Sequence, residues 1–163
     1  MSSINKAYIA RVLLPVFLGA VIYCLLRDPS LIIFRLINSS TLHNFILFLQ
    51  QLCMPVAELL PRWLPYSLPD GLWCYACVSL ILIYWREGPL CFKAFWLSVA
   101  ITLSLGFEVG QLLNFVPGSF CAYDLLLSIA AVAIALSHEV LHKISVKTGL
   151  GNTLAPDSSG APV

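Results

Sequence analysis

Residues 67–85, SLPDGLWCYACVSLILIYW, carry no formal charge after Asp70 and no strict apolar–polar alternation. That pattern predicts a buried helix rather than a strand, and its length approaches the roughly 20 residues a helix needs to cross a hydrocarbon core. Arg86-Glu87-Gly88-Pro89 behind it is a turn signal, and a second apolar run, 90–113, follows at once. Further out, a third run at 122–142 follows the break between Asn114 and Gly118, and a fourth precedes at 7–26, AYIARVLLPVFLGAVIYCLL. All four are predicted as helices, because backbone exposed to lipid must satisfy its own hydrogen bonds.

Composition agrees. Of 163 residues, 60% are hydrophobic and 10% charged, against roughly 45–50% and 25% in soluble domains; mean hydropathy is +0.90. Too few charges remain to coat a water-facing surface, which excludes a soluble enzyme and a disordered chain. Nine basic and eight acidic residues leave a net charge of +1, so no basic footprint calls for nucleic acid.

Residues 27–66 break the pattern. The runs 31–37 and 42–60 are apolar but interrupted by Arg35, Asn38, His43, Asn44, Gln50, Gln51 and Glu58. Leu42, Phe45, Ile46, Leu49, Leu52 and Val56 recur at helical spacing. The segment 31–60 therefore reads as an amphipathic helix on the membrane surface, or one re-entering the bundle, rather than a fifth span. Residues 144–163 read as a flexible tail. Lys6 and Arg11 give the first span a basic front, but no small-x-small cleavage site follows it, so it reads as a retained membrane helix.

With four spans, Lys6, Arg11, Arg86, Lys93, Lys143 and Lys147 share one side, against Arg27, Arg35 and Arg62 on the other. This imbalance predicts both termini in the cytoplasm. Trp63, Tyr66, Trp73 and Tyr123 would then mark the outer interface, and Tyr84 and Trp85 the inner one.

The same topology gathers three acids. Asp70 opens the second span, Glu108 lies near the end of the third, and Asp124 opens the fourth, all on the outward side. Acids at membrane depth are costly and tend to be functional. Ser104 and Gln111, a turn before and a turn after Glu108, extend a polar stripe, and Gly106 and Gly110 would admit a close neighbouring helix. Structural roles compete: Asp70 after Pro69 fits a helix N-cap, and Asp124 suits the positive end of its helix. Glu108 has no capping role and sits at the unfavourable end of its helix dipole; a partner from Arg27 or Arg62 would neutralise it. Glu108 is the candidate acid or base, should the protein catalyse anything.

The succession Glu108-x-x-Gln111, Phe115-Val-Pro117-Gly118-Ser119-Phe120 and Asp124 resembles the core signature of the VanZ-like family of small integral membrane proteins, and Pro69-Asp70 resembles that family's upstream motif. The likeness covers about residues 66–142. Three positions depart from it: Cys74 stands where the family carries His, Cys121 where it often carries Asp, and Ser128 where Asn is expected. The resemblance implies a cell-envelope protein with lipid-like or amphiphilic partners.

Six cysteines, at 24, 53, 74, 77, 91 and 121, lack zinc-ligand spacing with a His partner, so no metal is expected. Cys74-x-x-Cys77 allows a membrane thiol–quinone redox protein as an alternative, set against cysteine as small apolar filler. His138, Glu139 and His142 read as a solvated helix end. No phosphate loop or nucleophile elbow is present, and no cofactor is called for.

The sequence thus predicts an all-α integral membrane protein of four transmembrane helices plus an amphipathic or re-entrant segment between the first and second. Its predicted function is to bind a membrane lipid or other amphiphile in an outward-facing acidic pocket of Glu108, Gln111, Asp124, Asp70 and Ser128, in a bacterial inner membrane. A second reading is a scaffold subunit that docks a membrane-protein partner through 31–60.

Overall fold

A computed structural model describes residues 8–27, 40–61 and 63–147. The segment 31–39 with Arg35 and Asn38, together with Lys6, Arg62 and the tail from 148 onward, lies outside the described residues. The chain is an all-α membrane bundle, with five helices among the described residues. Four are long and apolar enough to span: α1 (Ile9–Leu26), α3 (Trp63–Tyr84), α4 (Leu90–Leu112) and α5 (Ala122–Lys147). The remaining helix, α2 (Ser40–Leu59), has a shorter apolar run, Asn44–Leu59.

Helix α1 opens with a π-helical turn, Ile9–Leu13, directly before Pro15. Proline lacks the N–H that would bond four residues back and its ring crowds that carbonyl, so a wider turn relieves the clash. At the far end of α1 the carbonyls of Cys24 and Arg27 accept from Gln50 Nε2 of α2, at 2.8 and 3.2 Å. Helix carbonyls left over at a C-terminus need such partners, so Gln50 fastens α2 to the end of α1.

Helix α3 is the centre of the bundle and packs on α1, α4 and α5. It begins at Trp63, a turn before Ser67, because Pro65 falls in its first turn, where a missing N–H costs nothing. Asp70 is consequently two turns inside the helix and caps nothing, which corrects the N-cap reading. The core is formed by Cys74, Val78 and Leu82 of α3 against Ala131 and Ala135 of α5. Two glycines allow the close approaches. A Cβ on Gly71 would stand 3.0 Å from Leu127 Cβ of α5, and one on Gly19 of α1 would stand 2.5 Å from the Trp73 ring nitrogen. Trp73 donates to the Val16 carbonyl at 3.3 Å, joining α3 to α1.

Gly106 and Gly110 do not admit a neighbouring helix as the sequence suggested. A Cβ at Gly106 would meet only Thr102 of its own helix, and Gly110 lies under Val116. That valine belongs to a Schellman-type end of α4. Asn114 adopts φ 59, the Phe115 N–H reaches back to Gly110 O at 2.8 Å, and the Asn114 N–H reaches Gln111 O at 3.1 Å. Helix α4 is the least enclosed span, with Lys93 its one buried residue.

Candidate functional site

The chain order places the C-terminal ends of α1 and α4 beside the N-terminal ends of α3 and α5. At this end of the bundle Asp70, Glu108 and Asp124 meet. Asp70 lies within electrostatic reach of Arg27, Asp124 and Glu108. Asp124 occupies the first turn of α5, where the helix dipole favours a carboxylate.

Glu108 resolves its unfavourable helix position by reaching across the bundle. Its Oε2 accepts from the Cys121 backbone N–H at 3.4 Å, just ahead of α5, so its charge faces the positive end of a neighbouring helix. Arg27, one of the two partners anticipated for it, is engaged elsewhere. Its Nη2 donates to the Tyr66 carbonyl at 3.2 Å, and its guanidinium lies over the Tyr23 and Tyr66 rings at 4.6 and 5.3 Å from their centroids. Trp63 and Tyr123 stack at 5.0 Å and tie the first turns of α3 and α5 together.

Two cavities share the three carboxylates. The inner one, about 400 Å³, runs down between α3, α4 and α5 and is lined by Trp73, Cys77, Val78, Leu103, Phe107 and Ser128 as well as Asp70, Glu108 and Asp124. Leu103 and Phe107 are each 56% exposed, so this cavity opens sideways, toward the lipid. The other, about 530 Å³, holds Arg27, Trp63, Tyr66, Gln111 and Cys121 around the same three acids. The carboxylates therefore stand where an apolar slot meets a polar, aromatic vestibule.

The five residues singled out from sequence all line this pair of cavities: Asp70, Glu108 and Asp124 line both, Ser128 the inner and Gln111 the outer. The Gln111 side chain lies over Gly118, whose φ of +143 and missing Cβ leave the room it occupies. Ser104, on the same stripe, lines the inner cavity as well. Arg27, Trp63 and Tyr66 line the outer cavity; the sequence placed them at this end of the bundle, but not as a wall of the site, since that depends on how α1 and α3 pack.

All six cysteines are free thiols. Cys74 is buried against α5, its thiol donating to the Ser128 carbonyl at 3.8 Å. Cys121 lies 3.7 Å from the Ser67 hydroxyl. Both act as small packing residues, while Cys77 faces the inner cavity. No three His, Cys, Asp or Glu side chains among the described residues are gathered closely enough to hold a metal ion.

The opposite end of the bundle corrects a further reading. Glu139 is 5% exposed and pairs with Arg86 Nη2 at 3.4 Å. Arg86 Nη1 contacts His142 Nε2 at 3.3 Å, and His138 Nδ1 bonds the Tyr75 hydroxyl at 3.0 Å. The buried Lys93 donates to the Arg86 carbonyl at 3.3 Å. This end is a partly buried polar network rather than a solvated terminus, because the α3–α4 turn folds over the last turns of α5, although Arg86 Nε and Glu139 Oε1 are buried without a partner.

Comparison of the chain with protein-family models, with curated proteins and with solved structures finds no match.

Proposed function

We propose that this protein binds a lipid-like amphiphile in the groove between α3, α4 and α5, with its head at the carboxylates and its hydrocarbon part in the slot that opens to the bilayer. The observation that carries the reading is the sharing of Asp70, Glu108 and Asp124 by two cavities, one largely apolar and one of mixed character. Sites for small molecules are mostly apolar with a few convergent polar groups, and acids at membrane depth are expensive enough to want a use. Glu108 would serve as acceptor or proton carrier.

The distribution of Lys and Arg supports a bacterial cytoplasmic membrane with both termini inside and the groove facing outward. The motif from Glu108 to Asp124 supports membership of the VanZ-like family and, with it, a role in the cell envelope. The test is native mass spectrometry of the protein in a mild detergent beside Glu108→Gln. A bound lipid or polyprenyl species that vanishes in the variant is the expected result. A protein partner retained by both forms overturns the reading in favour of an assembly subunit docking through 31–60.

A further inference from the structure

The polar atoms around the two cavities are unevenly matched. Ser128, at 4% exposure, lines the inner cavity. One turn earlier on α5, the Asp124 Oδ1 atom is buried and without a partner. Glu108 uses one oxygen on a single long bond to Cys121. Against these open acceptors, the cationic side chain that lines the cavities among the described residues is Arg27. Its guanidinium is engaged by the Tyr66 carbonyl and two tyrosine rings, and its buried Nε–H lacks a partner.

Buried acceptors without donors are costly, and among the described residues three acids face one cation in a low-dielectric setting, an excess of negative charge. A bare metal ion does not fit the deficit, since the side chains are not gathered at ligand spacing. What fits is a compact cation that brings several N–H donors of its own and hangs from a hydrocarbon chain. A primary ammonium supplies three donors and one positive charge.

We infer that the occupant of this groove is an amphiphile bearing a protonated amine, whose ammonium is received by Asp124, Glu108 and Ser128 while its chain lies along Leu103 and Phe107. The inference rests on the amphiphile reading above and adds the chemistry of the head. An alcohol of the same chain length would leave the charge unanswered, and an anionic head would meet three carboxylates.

The probes are dodecylamine, 1-dodecanol and dodecyl phosphate, titrated separately into the full-length protein in uncharged maltoside micelles. The readout is tryptophan fluorescence, since Trp73 lines the inner cavity and Trp63 the outer. Dodecylamine is expected to bind roughly tenfold or more tighter than dodecanol, the scale of one charge-assisted hydrogen bond. Asp124→Asn should abolish that preference, and Ser128→Ala, which leaves every charge in place, should reduce it. If amine and alcohol bind equally, or the phosphate binds best, the amine inference is overturned while the amphiphile groove stands. If none of the three binds, the groove reading itself fails. The comparison of probes on the wild-type protein decides the matter even if a variant does not fold.

Discussion

At one end of the bundle Glu139 of α5 and Arg86 of the α3–α4 turn pair at 3.4 Å, with His142 and Lys93 closing around the arginine. At the other end Asp70, Glu108 and Asp124 come from three helices and, among the described residues, share the cavity with Arg27, which is stacked on tyrosines. Both ends draw on acids, an arginine and aromatics near helix termini. Each end leaves one arginine Nε and one carboxylate oxygen buried without a partner, so the difference lies in the pairing and in the cavities. One end joins its acid to its arginine directly; the other spreads three carboxylates along open space. The first arrangement is what stability asks of buried charge, and the second is what a binding site retains at stability's expense.

Substitutions can break that contrast or sharpen it. The largest effect is expected at the closed end, where Glu139→Ala strands Arg86 without its partner and should cost about 3–5 kcal/mol, read as a lowered melting temperature in detergent. Replacing both Arg86 and Glu139 by leucine should recover most of the loss, since the penalty lies in the unpaired charge. Next comes the helix contact, where Gly71→Val pushes a branched side chain into Leu127 and should cost about 1–3 kcal/mol by the same melt. At the end of α4, Asn114→Val must hold a left-handed backbone and should lose about 1–2 kcal/mol. Asn114→Gly should be neutral or slightly stabilising.

The smallest stability effect is expected at the open end. Glu108→Gln keeps an acceptor for the Cys121 N–H and should change stability by less than about 1 kcal/mol, while it removes the bound amphiphile. If Glu108→Gln unfolds the protein as readily as Glu139→Ala, the open end is structural and the contrast collapses.

Much of the fold was legible along the chain because transfer into lipid is a property of each segment taken singly. The runs 7–26, 67–85, 90–113 and 122–142 are apolar enough to be found without knowing their neighbours, and their order already puts Asp70, Glu108 and Asp124 at one end. Glu139 was legible too, although its signal was passed over. Asp124, Ser128, Ala131, Ala135 and Glu139 follow one another at helical spacing, so the face that buries the two alanines must carry Glu139 inward. The reading that stopped at the adjacent His138, His142 and Lys143 saw only a polar helix end. Asp70 misled in the other direction, because Pro69 looked like the start of a helix that begins at Trp63.

The glycines show where segment-by-segment reasoning stops. Gly19, Gly71, Gly106 and Gly110 look alike in sequence, yet only the first two lie under another helix. Nothing in the run 90–113 tells which side of α4 faces α3, so the use of Gly110 as a seat for Val116 is visible only once the loop has folded back.

What the sequence alone determined is the four long apolar helices, the all-helical class, and the end of the bundle at which Asp70, Glu108, Asp124, Arg86 and Glu139 fall. These follow from free energies summed over single residues, which need no partner. The tertiary structure decided which charges meet: that Glu108 faces the start of α5, that Arg27 rests on tyrosines, and that Arg86 and Glu139 pair. Such meetings depend on how each helix is rotated against its neighbours, and that rotation is set by packing between residues such as Gly71 and Leu127, some fifty positions apart in the chain.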